Sequence, residues 1–212
     1  NENYGTSNYV EESSAATAEI VYLLLKELGF DFKEKDEVNE KIGRCIYTSL
    51  VTDTGGFRHS NVTERTHKIA SELIAIGVNN TKIHNNLFDN RPYEKIKLIG
   101  EALNNLKLLL DGKLSVIKLS KKLLDSYNLG NIDTSDVISM ALGIKGVKVA
   151  LVLKEVEDGV KGSLRSREDF DVRKVAEVLG GGGHIKAAGF KMKNVSLEEA
   201  FNKVIIEIEK EI

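Results

Sequence analysis

The run GVKVALVLKEVEDGVKGSLRSR, residues 146–167, restricts what the second half of this chain can fold into more than any other feature. It is rich in valine and leucine and breaks once, at Asp158-Gly159, so it reads as two strands joined by a tight turn. KLSVIKLS, residues 113–120, alternates like a further strand. Helical stretches are predicted at about 171–179 and 196–211, the second opened by Ser196 with Glu198 and Glu199 in its first turn. Residues 113–212 are thus expected to form a small mixed α+β domain.

The first half has another texture. Apolar residues recur at helical spacing in AATAEIVYLLLKELG, which Gly29 should stop, and again over 36–51 and from about Thr63 to Gly77. Pro92 suits the first turn of a long helix running to residue 110. This predicts residues 1–90 as one mostly helical part and 91–112 as a connecting helix. The TDTG turn at 52–55 looks suited to the edge of a sheet, yet no strand is expected around it. With an opening Asn1 in place of Met, that mismatch leads to the expectation of a fragment lacking its N-terminal part.

Composition narrows the function. Of 212 residues, 42% are hydrophobic and 29% charged, as in globular proteins, and the net charge of −2 supplies no general attraction to a polyanion. An anionic ligand would need a local site. The single Cys45 excludes an internal disulfide and fits a reducing, cytoplasmic setting; it lies in the apolar run IGRCIYTSLV, so a buried, inert thiol is expected. No window approaches the ~20 apolar residues of a membrane-spanning helix.

Three segments can carry chemistry. In TSLVTDTGGFRHSN, residues 48–61, Asp53 stands at the end of an apolar run, where a carboxylate can hold a hard cation such as magnesium or manganese. Arg58 can meet a phosphate bidentately, with His59 and Asn61 adding polar reach. The plain alternative is a self-capping Asp-Thr-Gly-Gly turn with Arg58 in solvent. In KGSLRSRED, strand alternation puts Ser163, Arg165 and Arg167 on one face, a phosphate seat or an ordinary charged strand. LGGGGHIKAAGF, residues 179–190, reads as a loop whose backbone N–H groups converge on an anion, with His184 as donor at its end. It is neither a Walker loop nor a GxGxxG fingerprint, and its structural alternative is a hinge. His67 and His84 are expected to be solvated or at the core edge.

SSAATAEIVYLLL, YTSLVTDTGGFRHSN, VKGSLRSR and LGGGGHIKAAGF, in that order, resemble the DHH phosphoesterase superfamily, and within it the bacterial oligoribonuclease (nanoRNase) and pAp phosphatase group. The resemblance implies an α/β fold: the C-terminal part of a DHH-type α/β domain, mostly helical here, followed by a mixed α+β DHH-associated domain. It implies two manganese ions, with magnesium as the alternative, and assigns Asp53 as one metal ligand. It implies substrate binding by Ser163, Arg165, Gly181, Gly182, Gly183 and His184. Neither a DxD element nor the DHH motif is recognised anywhere in the chain, so the catalytic residues are unknown and this polypeptide alone is expected to be inactive.

The activity so implied is manganese-dependent hydrolysis of short oligoribonucleotides to mononucleotides, with dephosphorylation of 3′-phosphoadenosine 5′-phosphate (pAp) as a second activity. A linear or cyclic dinucleotide phosphodiesterase and a non-catalytic nucleotide- or RNA-binding module remain as alternatives. The absence of Trp and only 6% aromatics argue against a protein that tracks long single strands. A homodimer is left open, and no membrane association is expected.

Overall fold

A computed structural model describes residues 5–127 and 133–211. The chain divides into two compact units, Asn1–Asn90 and Arg91–Ile212. The first four residues, Asn1 included, lie outside the described part.

The first unit is helical: α1 (Thr17–Glu27), α2 (Glu37–Asp53), α3 (Glu64–Ala75) and α4 (Asn80–Phe88). Local chemistry sets their ends. Asp36 caps α2 by accepting from the amides of Val38 and Asn39, both at 2.8 Å, and Thr63 forms a reciprocal capping box with Thr66 at the start of α3. The core gathers Tyr22, Phe32, Ile46, Tyr47, Leu50, Val51, Ile69 and Leu73. α4 was not expected, because its asparagine-rich sequence buries only Ile83; Asn79 starts it, accepting from the Lys82 amide at 2.9 Å.

Two features of this unit differ from what the sequence suggests. Cys45 is exposed, not buried: the inward stripe of α2 passes through Gly43, Ile46, Tyr47 and Leu50, and Cys45 falls beside it. Conversely, Glu19 is fully buried. Arg65 meets its carboxylate at 3.0 Å, and the Thr66 hydroxyl donates to it at 2.5 Å. A charge so placed is tolerated only because it is paired and hydrogen-bonded.

The second unit is built on one sheet whose described strands are β1 (Lys107–Leu109), β2 (Leu114–Leu119), β3 (Val149–Val156), β4 (Gly159–Ser166), β5 (Gly182–His184) and β6 (Ala187–Lys193). Their order is β1-β2-β3-β4-β6-β5, with β2 and β3 parallel and every other pair antiparallel. α5 (Tyr93–Asn104), α6 (Lys121–Asp125) and α7 (Ser135–Leu142) pack on the face carrying Ile117, Leu119, Ala150 and Val152. α8 (Val172–Val178) and α9 (Leu197–Glu209) cover the other face, over Val116, Leu151, Leu153, Leu164 and Phe190. Alternation along each strand thus feeds two cores.

The helix expected over 92–110 ends at Asn104. Residues 107–109 instead pair with β2, because Leu110, Asp111 and Gly112 all take positive φ and reverse the chain. α5 itself is a core element of this unit through Leu98, Ile99 and Ala102. α6 and α7 form in a segment to which the sequence pattern assigned no element. Both are short, and they supply the crossover that the parallel β2–β3 pair requires.

Candidate functional site

The residues singled out from the second half converge on one face of one sheet. Along β4, Val160, Gly162 and Leu164 are buried beneath α8 and α9, while Lys161, Ser163 and Arg165 point the other way. The register extends those positions across the neighbouring strands. Ser163 is opposite Gly189, and Gly189 is opposite Gly182. One row along, Arg165 is opposite Ala187, and Ala187 is opposite His184.

The result is a hydroxyl, a guanidinium and an imidazole around a floor made of two glycines and an alanine. Ser163 and Arg165 are half-buried and His184 is exposed. The Arg165 Nη1 donates to the carbonyl of Leu164 at 3.0 Å, and among the described residues no carboxylate stands within ion-pairing distance of it. Burial holds the pKa of this guanidinium below its ordinary value, with the charge of Asp133 acting the other way. A half-buried arginine with no ion-pair partner among the described residues, beside a neutral donor and an imidazole, is suited to taking an anion.

The glycine run is not the flexible loop its composition suggests. Gly182, Gly183 and His184 form the edge strand β5, which returns through Ile185-Lys186 into β6. Most of the run has a packing reason. Gly180, at φ 78°, ends α8. A Cβ on Gly181 would stand 2.1 Å from the Gly189 carbonyl oxygen, and one on Gly183 would stand 2.5 Å from that of Ala187. A Cβ would meet nothing within 4 Å at Gly180 and at Gly182, but Gly180 takes a positive φ and Gly182 does not. Of the four, Gly182 is the one whose bareness serves neither a neighbour nor a left-handed backbone.

Arg167 does not share this face. β4 ends at Ser166, the Arg167 amide donates to the Lys148 carbonyl at 2.9 Å, and its side chain lines a separate groove of about 250 Å³ with Lys113, Lys148 and Glu168.

In the first unit, Asp53 is the last residue of α2 and is exposed. The turn after it is organised by Thr54, whose buried hydroxyl donates to the Leu50 carbonyl at 2.5 Å and accepts from the Phe57 amide at 2.9 Å. Asn61 ties it down, donating to the carbonyls of Ala15 at 2.8 Å and Asp53 at 3.3 Å. Arg58 folds back so that its Nε donates to the Gly55 carbonyl at 2.7 Å. His67 stacks on Phe57, and His84 lies against Tyr47 and Phe88, as expected for edge-of-core rings. The turn therefore has the self-capped form of the plain alternative, with the Asp53 carboxylate projecting from it.

A hard divalent cation takes about six oxygen ligands. Among the described residues there is no group of three or more histidine, cysteine, aspartate or glutamate side chains that could hold one. Asp53 alone does not fit a two-cation centre. The one D-x-D string in the chain, Asp169-Phe170-Asp171, serves α8 instead, Asp171 accepting from the Arg173 amide at 3.0 Å.

Comparison with known proteins bears on the sheet-bearing part first. The DHHA1 domain family matches residues 113–211. The match takes in the sheet-bearing part of the chain from β2 to the end of α9. The whole chain is 31% identical to the bifunctional oligoribonuclease and PAP phosphatase NrnA of Thermus thermophilus, over 100% of its own length and 62% of that protein. It is 29% identical to the NrnA of Bacillus subtilis over 88% of its own length and 58% of that protein. An exopolyphosphatase-related protein from Bacteroides fragilis shares its fold, with a TM-score of 0.90 and 27% identity over 99% of this chain and 60% of that one. The chain thus spans about three fifths of the length of these relatives. The Ser163–Arg165–His184 face lies wholly within the residues that match the DHHA1 family. No helix among the described residues is long and apolar enough to cross a membrane.

Proposed function

We propose that the DHHA1 domain of this chain grips the phosphorylated end of a short oligoribonucleotide or of pAp for a phosphoesterase that hydrolyses both. The observation that carries this reading is the alignment of Ser163 and Gly182 in one row with Arg165 and His184 in the next. Arg165 supplies a charged, bidentate donor to the phosphate, and Ser163 and His184 supply donors on either side. Gly182 and Gly189 carry no side chain, so the sugar–phosphate can lie close against the sheet. The names of the NrnA relatives support oligoribonucleotides and pAp as the substrate class.

The hydrolytic centre is proposed to use manganese, with Asp53 contributing one carboxylate and the remaining ligands coming from outside the described residues. Two such ions would activate water and stabilise charge at phosphorus. With one candidate ligand, this chain by itself is expected to bind nucleotides without turning them over.

The test has two parts. The 212-residue chain is titrated with a 5′-phosphorylated ribodinucleotide, with pAp and with cyclic di-AMP; the linear ligands should bind better, and binding should weaken in Arg165→Ala and His184→Ala. A longer gene product containing this chain is then assayed with manganese on the same three compounds. Preference for cyclic di-AMP in both parts would replace the proposal with a cyclic-dinucleotide phosphodiesterase. Binding without turnover by the longer product would replace it with a binding module.

A further inference from the structure

Three lysines stand side by side on the same sheet face as the proposed phosphate seat. Lys154 of β3 is directly opposite Lys161 of β4, and Lys161 is directly opposite Lys191 of β6. Like charges in directly opposed positions destabilise a sheet, so an anion laid over the central Lys161 would relieve the repulsion from both sides. Lys191 meets Asp158 at 2.7 Å. Lys161 is exposed, and among the described residues no carboxylate lies within ion-pairing distance of it. Lys154 is half-buried, and burial together with the charge of Lys161 holds its ammonium pKa below the ordinary value.

The spacing between rows is fixed by the strands. The lysine row is two residues along β4 from Ser163 and four from Arg165. At ~3.3 Å per residue the two rows of cations are about 13 Å apart, with the Ser163–Gly189–Gly182 row between them. That exceeds the separation of the two phosphates flanking a single ribose. A mononucleotide seated at Arg165 and His184 leaves the lysines untouched, whereas a strand with further phosphates, laid over the glycines, arrives at them.

Resting on the function proposed above, we infer that Lys154, Lys161 and Lys191 form a second anion-contacting row that reads the phosphodiester backbone of a single-stranded oligonucleotide held by its terminal phosphate at Arg165 and His184. The row gives the site a preference for length. Affinity rises from one nucleotide to about three, the length at which a strand held at Arg165 brings a further phosphate across the ~13 Å to the lysine row.

The experiment uses the 212-residue chain with a chelator present, so that binding is read without turnover. A fluorescent 5′-phosphorylated ribotrinucleotide and the matching 5′-mononucleotide are titrated at several salt concentrations against the wild type, Lys161→Gln, Lys161→Arg and Arg165→Ala. Lys161 is exposed, so both of its variants should melt like the wild type. Lys161→Gln is expected to weaken trinucleotide binding roughly tenfold, the loss of one charge-assisted contact. It should also reduce the salt slope by ~0.7, as for one phosphate contact on a single strand, while leaving the mononucleotide unchanged. Lys161→Arg should restore the trinucleotide. If Arg165→Ala weakens both ligands but Lys161→Gln weakens neither, or weakens both equally, the lysine row is not a backbone reader and the phosphate seat stands without it. If the wild type binds neither ligand, or Arg165→Ala changes nothing, the phosphate seat itself is wrong and the lysine row falls with it.

Discussion

Arg165 and His184 stand in one row of the sheet with only the methyl group of Ala187 between them. The gap is the width of one strand, and both side chains project from the face on which Ser163 and Gly189 are also only half-buried. If a phosphate sits there, the smallness of Ala187 is what admits it. Ala187→Leu should fill the space while adding bulk toward an open face and not into the core. We expect the melting temperature to hold and affinity for a 5′-phosphorylated dinucleotide to fall by at least tenfold, the equivalent of one strong contact, or ~1.4 kcal/mol. Unaltered affinity in a folded Ala187→Leu protein would place the phosphate elsewhere.

The glycine run separates packing from binding. At Gly181 an added methyl group collides with the Gly189 carbonyl and with Phe190, both part of the sheet. Gly181→Ala is therefore expected to destabilise the second unit by roughly 1–3 kcal/mol, the range for forcing atoms into a filled space. At Gly182 the same methyl group meets nothing within 4 Å, and φ lies outside the left-handed region. Gly182→Ala should leave stability unchanged or raise it by up to ~1 kcal/mol through the unfolded chain. Its effect should appear in nucleotide affinity instead. Thermal melts and titrations of the two variants should show opposite patterns, and a shared pattern would remove Gly182 from the site.

That contrast marks how far the sequence could be read. The β3–β4 hairpin was legible because its alternation and the break at Asp158-Gly159 are local signals, and α9 because Ser196 and Glu199 form a capping box within four residues. The end of α5 was not. Its apolar periodicity runs on through Leu108 and Leu109, and only the pairing of those residues with β2 makes them a strand. Glycines 180–183 misled in the same way: their composition suggests a loop, while Gly181 and Gly183 are required by the carbonyls of Gly189 and Ala187, which no local pattern reveals. Ser163 and Arg165 could be placed on one face by parity alone. Their alignment with Gly182 and His184 needed the register of β4, β6 and β5, a non-local fact. Cys45 was expected inside because it lies in an apolar run, yet it falls beside the inward stripe of α2, and the burial of Glu19 could not be read locally because it depends on Arg65, 46 positions away.

Tyr22 and Glu72 predict a pH response of the first unit. The Tyr22 hydroxyl donates to the Glu72 carboxylate, and Lys26 approaches the same oxygen at 3.2 Å. The hydrogen bond from Tyr22 holds the Glu72 pKa below the ordinary 4.5, outweighing the opposite effect of burial. A carboxyl whose pKa is lower in the folded state contributes stability above its unfolded value and loses it as pH falls through the folded one. The loss should therefore begin near pH 4.5 and continue below it. Tyr22→Phe should be less stable than the wild type at neutral pH and should show a shallower decline on acidification. Melting curves between roughly pH 3 and 7 would check this. Parallel acid limbs in the two proteins would show that the pair does not couple to folding.

Asp53 makes a different kind of prediction, about what this chain cannot do alone. Its carboxylate is exposed at the end of α2 and receives one hydrogen bond, from the Thr52 hydroxyl at 3.3 Å. A single aspartate is a weak ligand for manganese, because the ion would keep most of its water and gain little from one charged oxygen. Calorimetric titration of the 212-residue chain with manganese should show no tight site, and Asp53→Asn should not change that result. In a longer gene product that supplies further carboxylates, the same substitution should abolish manganese-stimulated hydrolysis while nucleotide binding through Arg165 persists. The two activities should therefore separate by mutation, Asp53 governing turnover and Arg165 governing affinity. Full hydrolysis by Asp53→Asn in the longer product would return the TDTGG segment to the status of a self-capped helix end.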